Sequence, residues 1–95
     1  MSESVKKDAE KLTVRILSPA GKLYDGPAVS VTATNKVGPF DILVGHANFF
    51  SLLSESDVVV KSGGQPAVFP ITKGLIKVKA NAVTLFVNPE SNGVA

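Results

Sequence analysis

From Leu12 onward, apolar residues recur at every second position in short segments, each closed by turn-forming residues. Leu12, Val14 and Ile16 alternate with Thr13, Arg15 and Leu17. Val29, Val31 and Ala33 alternate with Ser30, Thr32 and Thr34, and Val83, Leu85 and Val87 repeat the pattern near the end. A period of two suits a pleated strand and cannot line one side of a helix. The β-branched content of these segments favours the same geometry.

The turn residues divide the rest of the chain. Ser18-Pro19-Ala20-Gly21 ends the first strand, a short return strand covers residues 22–25, and Gly26-Pro27 turns again. Ser62-Gly63-Gly64-Gln65 is a hairpin signal, with three valines before it and Ala67, Phe69 and Ile71 after it. Pro70 removes a ladder donor, which predicts an edge position or a bulge. Residues 75–79 place Ile76 and Val78 on one face and Lys77 and Lys79 on the other, and Ala80-Asn81 turns the chain into the last strand. The tally is about eight to ten short strands at intervals of roughly 8–12 residues, with no convincing helix. That predicts an all-β fold, an antiparallel β-sandwich whose short connections favour meanders over parallel crossovers.

Ninety-five residues suffice for one domain. The expected organisation is a flexible tail over 1–11, where six of the charges crowd with mixed sign, a sandwich over 12–89 and a loose tail over 90–95. Cysteine is absent, which excludes a disulfide scaffold, a thiol nucleophile and sulfur-ligated zinc. No apolar h-region is read at the N-terminus, and no apolar run approaches the ~20 residues of a membrane span. A net charge of +2 is too small to argue for nucleic acid.

The densest information lies in residues 38–53. This run holds three of the five phenylalanines, the only histidine and one acid, Asp41. It is too apolar for a solvated loop and too rich in turn residues for a helix. It reads as a strand over 40–43, a shaped loop through Gly45 and His46, and a buried apolar segment over 49–53. Asp41 and His46 are close enough in sequence to form an Asp–His pair in a strand-plus-loop geometry. A hydrogen-bonded structural histidine is the commoner outcome for a lone histidine beside glycine. No serine or threonine stands in a nucleophile-elbow context. Glu55 and Asp57 suit a solvated turn better than a cation site, and Lys73, Lys77 and Lys79 suit a solvated strand edge. No enzyme, cofactor or metal site is expected.

Gly38, Phe40, Ile42, Leu43, Gly45, His46 and Ala47 fall into a pattern that resembles the N-terminal β-sandwich domain of the epsilon subunit of F-type ATP synthases. That family typically shows a Gly-Ile-Leu-Pro-Gly-His-Ala-Pro run. Leu23-Tyr24-Asp25-Gly26, the Lys73-Gly74-Leu75-Ile76-Lys77-Val78 strand and Asn81-Ala82-Val83-Thr84-Leu85 resemble its flanking motifs, so the likeness covers about residues 11–89. Asp41 stands where the family usually has glycine, and Val44 and Asn48 stand where it has prolines. The chain stops where the family's C-terminal helical hairpin would begin, so that hairpin's ATP-binding and inhibitory roles are not carried over.

The resemblance implies a non-catalytic rotor part in the central stalk of a proton-translocating enzyme, peripheral on the inner, cytoplasmic face of an energy-coupling membrane. It would pack on the gamma subunit and touch the polar loops of the c-ring without inserting into the bilayer. By position, the expected partner contacts are Asn35, Lys36, Gly38, Phe40, Asp41, Gly45, His46, Ala47 and Asn48, with Leu17 and Tyr24 as additions to the gamma side. The alternative is a stand-alone β-sandwich protein-binding module derived from that family.

Overall fold

A computed structural model describes residues 11–90. The tails predicted over 1–11 and 90–95 fall, but for Lys11 and Glu90, outside the described residues. Eight strands form: β1 (Leu12–Ser18), β2 (Gly21–Ala28), β3 (Ser30–Asn35), β4 (Gly38–Leu43), β5 (Phe49–Leu53), β6 (Ser56–Lys61), β7 (Ala67–Lys79) and β8 (Ala82–Pro89). No helix occurs among the described residues.

The strands join in one hydrogen-bonded order, β2-β1-β8-β7-β6-β3-β4, and β5 also pairs with β7. The long strand β7 makes this possible. Its first half pairs with β6, from Val60↔Ala67 to Ser56↔Ile71. Its second half pairs with β5, from Leu53↔Gly74 to Phe49↔Val78. Both partners therefore lie end to end along one edge of β7, while β8 follows the other edge. The two halves of β7 belong to different layers, β5-β7-β8-β1-β2 and β7-β6-β3-β4.

Ring contacts tie the layers together at both outer strands. Tyr24 of β2 meets Phe69 of β7 at 6.1 Å, and Phe40 of β4 meets Phe49 of β5 at 5.4 Å in an edge-on geometry. Ser54 N also donates to Thr34 O at 2.9 Å, joining the β5–β6 corner to β3.

The alternating residues meet between the layers. Leu12, Val14, Ile16, Val31, Ile42, Val58, Val60, Ile71, Ile76, Val78, Val83 and Leu85 are all buried in one cluster, and among the described residues no polar side chain is buried with them. Burial of that aliphatic surface is the main favourable term in folding. At Gly63 (φ 105°) the β6–β7 connection takes the left-handed backbone that glycine tolerates, as the hairpin signal predicted.

Several expectations are corrected. The sheet is mixed, because β1 and β8 pair in parallel, from Thr13↔Ala82 to Leu17↔Phe86. Short loops force antiparallel neighbours only between consecutive strands; β1 and β8 are the first and last, so their direction is free. Residues 67–79 form one strand rather than two. Pro70 lies just beyond the β7–β8 ladder, and a register shift between Ile71 and Lys73 absorbs the irregularity. Val29 is exposed instead of following Val31 and Ala33 inward, because it lies between strands and its N–H bonds Lys61 O. Residues 49–53 form an alternating strand, not a buried segment, with Phe50 and Leu52 facing out.

Candidate functional site

The partner contacts expected from sequence do not form one cluster. The β3–β4 turn and the β4–β5 loop leave opposite ends of β4, a six-residue strand, so they stand roughly 17 Å apart at ~3.4 Å per residue. At the turn, Asn35 Oδ1 accepts from Val37 N at 2.9 Å and from Gly38 N at 3.3 Å, an Asx turn that fixes the tip. Asn35 Nδ2 donates to Ser51 Oγ at 3.2 Å, anchoring the tip to β5. Lys36 and Val37 project from it, Val37 with 95% of its surface exposed.

The loop beyond β4 is a built corner. Gly45 takes φ 84°, a left-handed conformation suited to glycine. His46 N donates to Leu43 O at 3.0 Å. The His46 ring packs edge-on against Phe49 at 5.5 Å, and its Nδ1 lies 2.8 Å from Ala47 O. Asp41 is elsewhere: its Oδ1 accepts from Thr32 Oγ1 at 2.6 Å across the β3–β4 ladder, on the outside of the sheet. The Asp–His pair is not assembled. Phe40 turns inward onto Phe49, so it supports the corner rather than presenting itself.

Two asparagines join this corner to the neighbouring turn. Gly45 N donates to Asn81 Oδ1 at 3.0 Å, and Ala80 N donates to Asn48 Oδ1 at 3.0 Å. Each side chain caps the other's loop, and Ala80, held at φ 55°, is the one described non-glycine residue with positive φ.

A second surface was missed, except for Leu17. Register carries one outward row across four strands: Leu52 of β5, Leu75 of β7, Phe86 of β8 and Leu17 of β1. Leu52 is 68% exposed and Phe86 47%, and Phe50 stands beside the row at 60%. Tyr24 does not join it. That side chain turns inward onto Phe69, and its hydroxyl donates to Pro27 O at 2.8 Å. The sequence signal for this row was the pair of apolar residues out of phase with the core, Phe50 and Leu52, hidden in an apolar run.

Among the described residues no group of three or more His, Asp or Glu is placed to hold a metal. Glu55 and Asp57 are exposed at the β5–β6 corner. Among them no helix is long and apolar enough to cross a membrane.

The ATP synthase Delta/Epsilon chain, β-sandwich domain, matches residues 11–89. The chain belongs to that family. The ATP synthase epsilon chain of Trichlorobacter lovleyi is 33% identical over 79 residues, covering 83% of this chain and 57% of the relative. That of Wolinella succinogenes is 35% identical over 75 residues, covering 78% and 57%. The chain thus spans a little over half the length of these relatives. The same fold occurs in the Euglena gracilis mitochondrial ATP synthase OSCP/F1/c-ring structure, with a TM-score of 0.77 at 18% identity over 82% of this chain and 51% of that one. It recurs in the central stalk/c-ring of the Tetrahymena thermophila mitochondrial ATP synthase, with a TM-score of 0.71 at 16% identity over 90% and 78%.

Within this ATP synthase epsilon-type sandwich, each departure from the family's usual run has a local partner. Asp41 is bonded to Thr32, Val44 packs half-buried against the core, and Asn48 caps Ala80. A side-chain hydrogen bond thus holds the loop where the usual proline would restrict it through its ring.

Proposed function

We propose that this chain is a non-catalytic central-stalk subunit of a proton-translocating F-type ATP synthase, coupling the gamma subunit to the c-ring. The observation that carries the reading is the outward apolar row from Leu52 to Leu17 in a chain of the epsilon family. Small monomeric domains rarely leave such contiguous apolar surface bare, and the fully buried centre of an interface is typically apolar. In this reading the row packs on gamma. The rim bearing Asn35, Lys36, Gly38 and Asp41, together with the corner of Gly45, His46, Ala47 and Asn48, meets the polar loops of the c-ring. Phe40 backs that rim from inside. The subunit is peripheral on the inner face of the membrane, and torque passes through a sandwich whose core holds no polar side chain among the described residues.

A tagged chain expressed in its source cells and purified under native conditions from their membranes tests this. Recovery of gamma and c subunits is expected, with loss of gamma in a Leu52→Ser, Phe86→Ser variant. A tagged chain that recovers no ATP synthase subunit overturns the reading and favours a stand-alone binding module.

A further inference from the structure

The apolar row is bordered by positive charge on both sides. Lys73 stands on one side of Leu75 along β7, and Lys77 and Lys79 on the other. Arg15 extends the second border on β1, opposite Thr84, which is itself opposite Lys77. All four side chains are exposed. Among the described residues the one acid in register with them is Asp25, opposite Arg15, and its carboxylate is held by Lys22 at 2.9 Å. The outer face of the other layer differs: Asp41 and Asp57 are exposed there, with Lys61 as the strand base.

We infer that the surface covering the Leu52–Leu17 row is a protein ridge that is apolar along its crest and carries Asp or Glu on both flanks. This rests on the central-stalk reading and specifies the chemistry of the gamma surface that meets this chain. The row crosses three interstrand spacings, about 14 Å, which suits an extended protein crest rather than a single pocketed side chain. Lysines on both borders select a partner with opposite charges and reject one with like charges. They also steer encounter, so the association rate depends on salt.

The test measures binding of the full chain to the isolated gamma subunit of the same organism, at ionic strengths from about 50 to about 300 mM. Three proteins are compared: the unaltered chain, Lys73→Glu with Lys77→Glu, and Leu52→Ser with Phe86→Ser. The charged positions are exposed, and unchanged thermal midpoints confirm that the variants fold. The unaltered chain is expected to bind more slowly and more weakly as salt rises. The charge reversal should weaken binding at low salt by about tenfold or more and flatten the salt dependence. The apolar variant should lose affinity yet keep the salt dependence of its association rate.

If charge reversal and salt leave gamma binding unchanged while the apolar variant loses it, the acid-flanked crest is overturned and the stalk reading stands. If the unaltered chain does not bind gamma, the stalk reading falls and this inference with it. If the reversal abolishes binding to phosphatidylglycerol-containing vesicles but not to gamma, the bases serve a lipid surface and the inference is overturned.

Discussion

Asn48 and Asn81 cap each other's loops: Asn48 Oδ1 accepts from Ala80 N, Asn81 Oδ1 accepts from Gly45 N, and both bonds are 3.0 Å. The corner between β4 and β5 is thereby fastened to the β7–β8 turn, over 30 residues away in the chain. In the proposed c-ring contact, a loop held in one conformation loses less entropy on binding. Asn48→Ala is expected to cost about 1 kcal/mol of stability. Urea unfolding checks this, and amide exchange at Ala80 should accelerate more than exchange in β1.

Ala80 carries a cost of its own. An L-residue at φ 55° loses ~1–2 kcal/mol to sterics, of which glycine's greater unfolded-state entropy would offset ~0.5–1. Ala80→Gly should therefore stabilise the domain by about 0.5 kcal/mol, seen as a higher denaturant midpoint at unchanged slope.

Gly74 behaves oppositely. A Cβ there would lie 2.7 Å from Phe86 O and 2.9 Å from Val87 Cγ1, with backbone on one side and a buried side chain on the other. Gly74→Ala should destabilise by about 2–3 kcal/mol, because neither neighbour can move without disturbing the β7–β8 ladder. Thermal unfolding with the midpoint shift read by circular dichroism measures this.

The Lys22–Asp25 pair gives a pH signature. The hydrogen bond from Lys22 is the main cause holding the Asp25 carboxyl below its ordinary value of 3.8; the Lys22 charge adds to it, weak desolvation opposes it, and Arg15 contributes last. A depressed folded-state pKa contributes stability above the unfolded pKa and loses it as pH falls through the folded value. Asp25→Asn should thus be slightly less stable than the unaltered chain at neutral pH, and the gap should close below about pH 4. The pair is exposed, so added salt should shrink the gap at neutral pH too.

Much of the fold was legible because the core is aliphatic and in phase. Val14 and Ile16, Val31 and Ala33, and Val83, Leu85 and Val87 point inward as their period requires. The parallel β1–β8 pairing was not legible, since alternation records which face a residue takes and not which strand lies beside it. The alternation over residues 67–71 and that over 75–79 are out of phase, so they read as separate segments; a register shift between Ile71 and Lys73 accounts for the change of phase, and β7 runs through it. The corner's residues were visible as a motif, but the Asn48–Asn81 clamp joins distant loops that only the folded register brings together. The apolar row was hidden for a simpler reason: Phe49 and Leu53 are turned inward and Phe50 and Leu52 outward, and a run apolar on both phases does not show which side is bare.

The most direct measurement places a photocrosslinking amino acid at Leu52, and separately at Asp57 on the opposite layer, in the full chain within its native membranes. Leu52 is expected to crosslink to the gamma subunit of the ATP synthase, and Asp57 is not. Equal crosslinking from both positions, or crosslinks from Leu52 to no ATP synthase subunit, would contradict the packing of the row on gamma.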